Sequence, residues 1–222
     1  MPSVVKSRIV VLHLTKFSDS GIVLHAVDSE SGRRSFLVRG IKRGNAMAAF
    51  HPLNLLNVVS GENPKSSLAF LREWYSDTSL RGIREDRVKG SIAMFISEVL
   101  YRSLTNELND DRLFGWLCDM VETLDSAQGS VANFPLWFLV SYATRLGFMP
   151  SDPLEPSGLF SPDEATLLYK VLDSSYLEAM AIPLSATRRQ AFARKMLRYL
   201  SWHLGTTVDA KSLDVLHAVL QD

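Results

Sequence analysis

The period of the apolar residues changes near residue 80, and no other feature constrains the fold of this chain as tightly. Before that point, strand-length runs rich in β-branched and aromatic residues recur: Ser7–Thr15 (SRIVVLHLT), Gly21–Asp28 (GIVLHAVD), Arg33–Arg39 (RRSFLVR), Leu53–Ser60 and Ser67–Trp74. Turn chemistry interrupts them at Lys16–Ser20, Ser29–Gly32 and Gly61–Pro64. Short strands at this spacing predict a small β-barrel. Two-residue alternation in the third strand puts Phe36 and Val38 on one face and Arg33, Ser35, Leu37 and Arg39 on the other.

Beyond residue 80 the spacing becomes helical. In Glu85–Leu108, residues Ile92, Phe95, Ile96, Val99, Leu100 and Leu104 share one side. Asp110–Leu124 repeats the pattern with Leu113, Phe114, Leu117, Met120 and Val121. Asn133 is placed to cap a helix over Phe134–Leu146, with Pro135 in its first turn and Gly147 as its stop. Ser161-Pro-Asp-Glu164 is a capping box, and Ser185–Leu204 and Ala210–Gln221 are the closing helices. Met149–Gly158 carries three prolines and reads as a loop. The predicted fold is α+β, with a β-barrel over residues 1–79 and an all-helical domain over residues 80–222.

Composition supports this division. At about 150 residues per domain, 222 residues make one large domain or two small ones. The hydrophobic share of 46% and charged share of 22% are globular proportions, which excludes a disordered chain or a coiled-coil rod. No apolar run approaches the ~18 residues of a membrane span. The first 17 residues, with Lys6, Arg8 and Lys16, lack the apolar centre of a signal peptide. The single cysteine, Cys118, rules out an internal disulfide and a multi-cysteine metal site, so a cytoplasmic protein is expected. The formal net charge is +0, yet residues 1–78 hold ten Lys/Arg against six Asp/Glu. The front of the chain is basic and the back acidic.

Catalytic patterns are missing. His13, His25, His51, His203 and His217 form neither a helical His-x-x-x-His pair nor a zinc cluster, although His13 and His25 could face each other across the first hairpin. Gly40–Gly44 lacks the spacing of a phosphate loop, and no Gly-x-Ser-x-Gly elbow exists. Cys118 sits among Leu117, Met120 and Val121, where a buried thiol is expected. Asp110 and Asp111 begin a helix and complement its dipole. The chain is therefore not expected to be an enzyme, and no cofactor or metal is expected.

Two acid-free runs do carry a signal. Between Ser31 and Gly61 there is no Asp or Glu, while Arg33, Arg34, Arg39, Lys42 and Arg43 crowd together. Such an edge on a barrel suits a phosphate backbone. Phe17, Phe36, Phe50 and Trp74 are candidate stacking platforms, for each of which a core role is the first expectation. The second run, Ala179–Val208, holds a helix with Phe192, Met196, Tyr199, Leu200, His203 and Leu204 on one side. Arg188, Arg194, Lys195 and Arg198 lie opposite, with Trp202 among them. That stripe suits an acidic peptide with an aromatic end, or nucleic acid.

The order of these parts resembles the bacterial DNA repair protein RecO family. The resemblance is carried by Val11–Arg43 with its Ser31-Gly32-Arg33 turn and Val38–Arg43 run, by Arg87–Leu113, and by Phe138–Pro150 with its Arg145–Pro150 ending. Leu197–His203 and Lys211–Leu216 complete it. It implies that the barrel is an OB-fold, and that the protein is a non-catalytic recombination mediator that binds single- and double-stranded DNA and anneals complementary strands. It further implies action with RecR in loading the recombinase onto strands coated by single-strand binding protein (SSB), in the nucleoid. On this reading Arg33, Arg34, Arg39, Lys42 and Arg43 hold DNA. Arg188, Lys195, Arg198 and Trp202 receive the acidic SSB tail, which ends in Phe. Many members carry a four-cysteine zinc module after the segment matching Arg145–Pro150; Ser151–Phe160 has no cysteine, so this chain resembles a zinc-free branch. The competing reading is an adaptor whose barrel grips a protein and not DNA.

Overall fold

A computed structural model describes residues 4–19, 21–40, 45–61, 67–105, 110–149 and 158–221. Its strands are β1 (Val4–Ser18), β2 (Gly21–Asp28), β3 (Gly32–Arg39), β4 (Leu55–Gly61) and β5 (Leu68–Tyr75), with the single-turn helix α1 (Asn45–Ala48) between β3 and β4. The helices that follow are α2 (Arg81–Glu85), α3 (Arg87–Ser103), α4 (Asp111–Ser126), α5 (Phe134–Arg145), α6 (Pro162–Leu172), α7 (Tyr176–Ala181), α8 (Ala186–Leu204) and α9 (Ser212–Val219). The α+β class read from the sequence is the class of the structure. The short helices α1, α2 and α7 carry no periodic signal and were not anticipated. By packing, residues 1–85 group with 104–125, and residues 86–103 with 126–222. No helix among the described residues is long and apolar enough to cross a membrane.

The strands close in the order β1-β2-β3-β5-β4, with β3 and β5 parallel and the other pairs antiparallel. This is the five-stranded Greek-key barrel of the OB-fold. Closure depends on the 15-residue length of β1, whose first half pairs with β4 and second half with β2. Irregularities between Val11 and His13, and between Lys16 and Ser18, supply the bend. Strand alternation fills the interior with Ile9, Val11, Leu24, Ala26, Phe36, Val38, Leu56, Val58, Ala69 and Leu71, and Phe50 from the turn after α1 joins them. Each large side chain buried there contributes about 1.5–3 kcal/mol. Two buried leucines beside the barrel, Leu53 (φ 62°) and Leu80 (φ 40°), hold left-handed backbone that leucine rarely adopts.

In the same unit, α4 is tied to the barrel by Arg8 of β1, which ion-pairs with Glu122 at 3.6 Å and with Asp77 at 3.5 Å. The Ile83 backbone N–H of α2 donates to the Asp125 carboxylate at 2.8 Å. Cys118 is buried on α4, and burial pushes its thiol up to about 11, which leaves it protonated and unreactive at neutral pH.

The helical unit is built around α5, which packs against α3, α6, α7 and α8 and buries Phe134, Leu136, Phe138, Leu139, Val140 and Tyr142. The Tyr142 hydroxyl is paired with that of Ser103 at 2.8 Å. Ser161 and Glu164 form the expected capping box at α6. Ser185 accepts from the Arg188 N–H to cap α8, and Gly205 ends it at φ 62°. Asn133 departs from its expected role. It stands at the N-cap of α5, but its side chain donates instead to the carbonyls of Ala179 (3.0 Å) and Ile182 (2.8 Å), tying down the end of α7. The amide N–H2 thus satisfies carbonyls where α7 stops, while the buried Oδ1, the atom a cap would use, has no hydrogen-bond partner.

Candidate nucleic-acid interface

The outward face of β1, β2 and β3 carries a polar row. His13, His25 and Ser35 are register partners across the three strands. The His13 and His25 rings stack with centroids 6.0 Å apart, so these two histidines do face each other across the hairpin. His25 is hydrogen-bonded to the Thr15 hydroxyl at 3.0 Å through Nε2 and to the Ser35 hydroxyl at 2.9 Å through Nδ1. Burial, then the charges of Arg33 and His13, lower the His25 pKa, so the ring is neutral at physiological pH.

The expected DNA-binding cations occupy different environments. Arg33 is half-buried and donates to the Leu104 carbonyl at 3.1 Å. Arg34 points the other way, because strand parity sets it with Phe36. Its guanidinium lies 5.4 Å from the Phe36 centroid and 3.8 Å from the Asp28 carboxylate, which is fully buried. Asp28 also accepts from the Ser7 hydroxyl and the Glu30 N–H, both at 2.8 Å. Arg39 is exposed, with its guanidinium 5.3 Å from the centroid of Phe70. Lys42 and Arg43 lie outside the described residues.

Of the candidate platforms, Phe36 and Phe50 are buried in the barrel, and Trp74 packs against Phe50 with centroids 5.2 Å apart. Phe17 departs from the expected core role: it is 57% exposed. The sequence reading passed over Phe70 and Arg72. The signal available was parity, since both alternate with the core residues Ala69 and Leu71. Arg72 is exposed and leans across Gly61, where a Cβ would lie 2.9 Å from its Nη2.

On α8, Arg188, Arg198 and Trp202 are exposed along one stripe, Trp202 at 69%. Lys195 belongs to the same stripe but is ion-paired with Glu164, the capping residue of α6. Burial raises the Glu164 pKa, but hydrogen bonds from Lys195 and Ser161 outweigh it, and the net shift is downward. Another face of α8 borders a groove with α5 and α9, lined by Leu136, Ala193, Leu213, Leu216 and Leu220. Arg189 stands in that groove; its Nη1 donates to the Leu184 carbonyl at 2.6 Å, and its buried Nε has no partner. Among the described residues, no group of three or more His, Cys, Asp or Glu is placed to hold a metal ion.

Residues 84–151 match the family model described as "Recombination protein O C terminal". The similarity to whole relatives is broader. The chain is 30% identical to the DNA repair protein RecO of Bacteroides fragilis, over 93% of this chain and 95% of that protein. The chain belongs to the RecO family of DNA repair proteins. RecO of Phocaeicola vulgatus is 29% identical over 93% of this chain and 95% of its own length, and RecO of Flavobacterium psychrophilum 28% over 97% and 98%. The match spans both the barrel and the helices, so the RecO relationship covers the two units together. A four-cysteine zinc module of the kind the resemblance associates with many RecO proteins does not fit this chain, whose single cysteine is buried in α4. Residues 151–157, where such a module would stand, lie outside the described residues.

Proposed function

We propose that this RecO-family chain is a non-catalytic recombination mediator that binds single- and double-stranded DNA on its barrel and anneals complementary strands. It acts with RecR in the nucleoid to help load the recombinase onto SSB-coated strands. The observation that carries this reading is the end of β3: an exposed Arg39 stacked on Phe70, leading without an intervening acid into Lys42 and Arg43. An OB-fold barrel with cations at this edge suits a phosphate backbone. Annealing follows because neutralised strands repel each other less. Arg33 lies on the same strand face as Arg39, while Arg34, on the opposite face, holds the buried Asp28.

The test is the salt dependence of oligonucleotide binding. Each phosphate contact of a single strand contributes about −0.7 to the slope of log K against log salt, so replacing Arg39, Lys42 and Arg43 with Ala should flatten that slope by about 2 units. Arg34 is left in place because its loss would take the cation away from the buried Asp28 carboxylate. An unchanged slope in the folded variant would move DNA off this edge and favour a barrel that grips protein.

The helical unit is proposed to take the SSB tail on Arg188, Lys195, Arg198 and Trp202. Since Lys195 is already committed to Glu164, the exposed Arg188 and Arg198 are the cations to test. Each charge-assisted hydrogen bond is worth about 1.5–3 kcal/mol. Reversing Arg188 and Arg198 to Glu should therefore weaken a tail peptide at least about tenfold. A second location is favoured by the unpartnered Nε of Arg189 beside an apolar groove. A change below about twofold in the double reversal, with loss in Arg189→Ala, would place the tail there.

A further inference from the structure

The barrel surface near the loop after β1 combines aromatic and cationic groups that neither core packing nor phosphate contact alone explains. Phe17, next to last in β1, has more than half its surface in solvent. Its ring leans over β2: a Cβ on Gly21 would lie 3.6 Å from Phe17 Cδ1. Gly21 is in turn the register partner of Arg39, so the Phe17 ring on β1 and the Arg39 side chain on β3 lie on either side of β2 on the outer face. Arg39 caps the Phe70 ring at 5.3 Å, and Phe70 stands beside Gly61, the residue crossed by exposed Arg72. The result is a strip reading exposed ring, guanidinium on ring, guanidinium.

Water is a poor environment for the Phe17 ring, and no described residue of its own unit covers it. A nucleobase would, since its flat face can stack on the ring while its phosphate meets Arg39 or Arg72. Duplex DNA cannot use the site in the same way, because its bases already stack on each other. We propose that Phe17, with the Arg39–Phe70 pair and Arg72, forms a stacking subsite for one unpaired nucleobase, and that this subsite gives the barrel a preference for single strands over duplex. The proposal rests on the DNA-binding reading above and adds a residue that carries no charge, so the two can fail separately.

The experiment uses the full chain, a single-stranded oligonucleotide containing 2-aminopurine, and the matching duplex. Stacking one base on an aromatic side chain is worth about fivefold to 150-fold in affinity. Phe17→Ala should weaken single-strand binding by about tenfold and abolish the 2-aminopurine quenching contributed by Phe17, with duplex affinity and salt slope unchanged. Phe17→Tyr should restore both binding and quenching. Because Phe17 is exposed, circular dichroism should show both variants folded. Wild-type affinity and quenching in Phe17→Ala, alongside a flattened slope in the Arg39, Lys42 and Arg43 variant, would overturn the subsite and leave DNA on the barrel. Equal loss on single strand and duplex would also overturn it, as would loss of protein binding without loss of DNA binding. An unchanged salt slope in the charge variant would overturn the DNA reading itself.

Discussion

Single residues in this chain are often decided by what they must satisfy elsewhere. Asn133 has the right identity and position for an N-cap, yet its amide holds two carbonyls at the end of α7. Truncating it strands buried acceptors, and an unsatisfied buried group costs about 1–3 kcal/mol. Asn133→Ala should accordingly lower unfolding stability by roughly 2 kcal/mol or more, read as a shift in the urea midpoint with little change in slope. A cap lost at the surface would cost about 1 kcal/mol, so the size of the shift discriminates the two roles. Arg34 teaches the same lesson in the barrel. Its charge looks like one more phosphate contact in the sequence, but strand parity turns it toward Asp28.

Among the elements, the short ones join the longer ones through close contacts. α2 meets the end of α4 at Gly82, where a Cβ would fall 2.0 Å from the Asp125 carbonyl oxygen. That oxygen belongs to the backbone and cannot rotate away, so the pair must separate if the glycine is replaced. Gly82→Ala should destabilise the barrel unit by about 1–3 kcal/mol, although alanine favours a helix more than glycine does. Thermal unfolding would detect it as a lowered Tm; an unchanged or raised Tm would mean that helix propensity outweighs the contact. α9 is capped in a similarly indirect way. Lys211 at its N-cap gives no side-chain bond, and Glu98 of α3 instead accepts from the Ser212 N–H at 2.9 Å and its hydroxyl at 2.6 Å. Burial raises the Glu98 pKa, but these hydrogen bonds overcome it and the net shift is downward.

At the level of the whole molecule three histidines and two glutamates act in one direction on the acid side. Burial is the largest cause lowering the pKa of His25, His51 and His203 from 6.5. Above 6.5 these rings are neutral in both folded and unfolded chains, and stability is fully present. As pH falls through 6.5, the unfolded chain takes up protons first, so stability is lost toward the lowered folded values. Glu98 and Glu164 are lowered from 4.5, and their contribution is present above 4.5 and lost below it. Urea midpoints measured from about pH 8 to about pH 3 should hold steady, decline below 6.5, and decline further below 4.5. His25→Gln should soften the first decline and leave the second unchanged.

The sequence by itself determined the α+β class, the strands, the principal helices and the capping box at Ser161, because each depends on the side chains of one short segment. Alternation in β3 was enough to separate Phe36 and Val38 from Arg33 and Arg39. The acid-free runs were legible too, as composition needs no partner to be read. Tertiary structure alone decided which charges and rings remain available. Arg34 is held by Asp28 and Lys195 by Glu164, while Arg39 sits on Phe70 and Phe17 stands in solvent. It also divided the chain so that α4 packs with the barrel and α3 with the other helices. The physical reason is shared by all of these cases. Local periodicity fixes the direction in which a side chain points, but the group it meets there comes from a distant part of the chain, and only closure of the barrel and packing of the helices bring the two together.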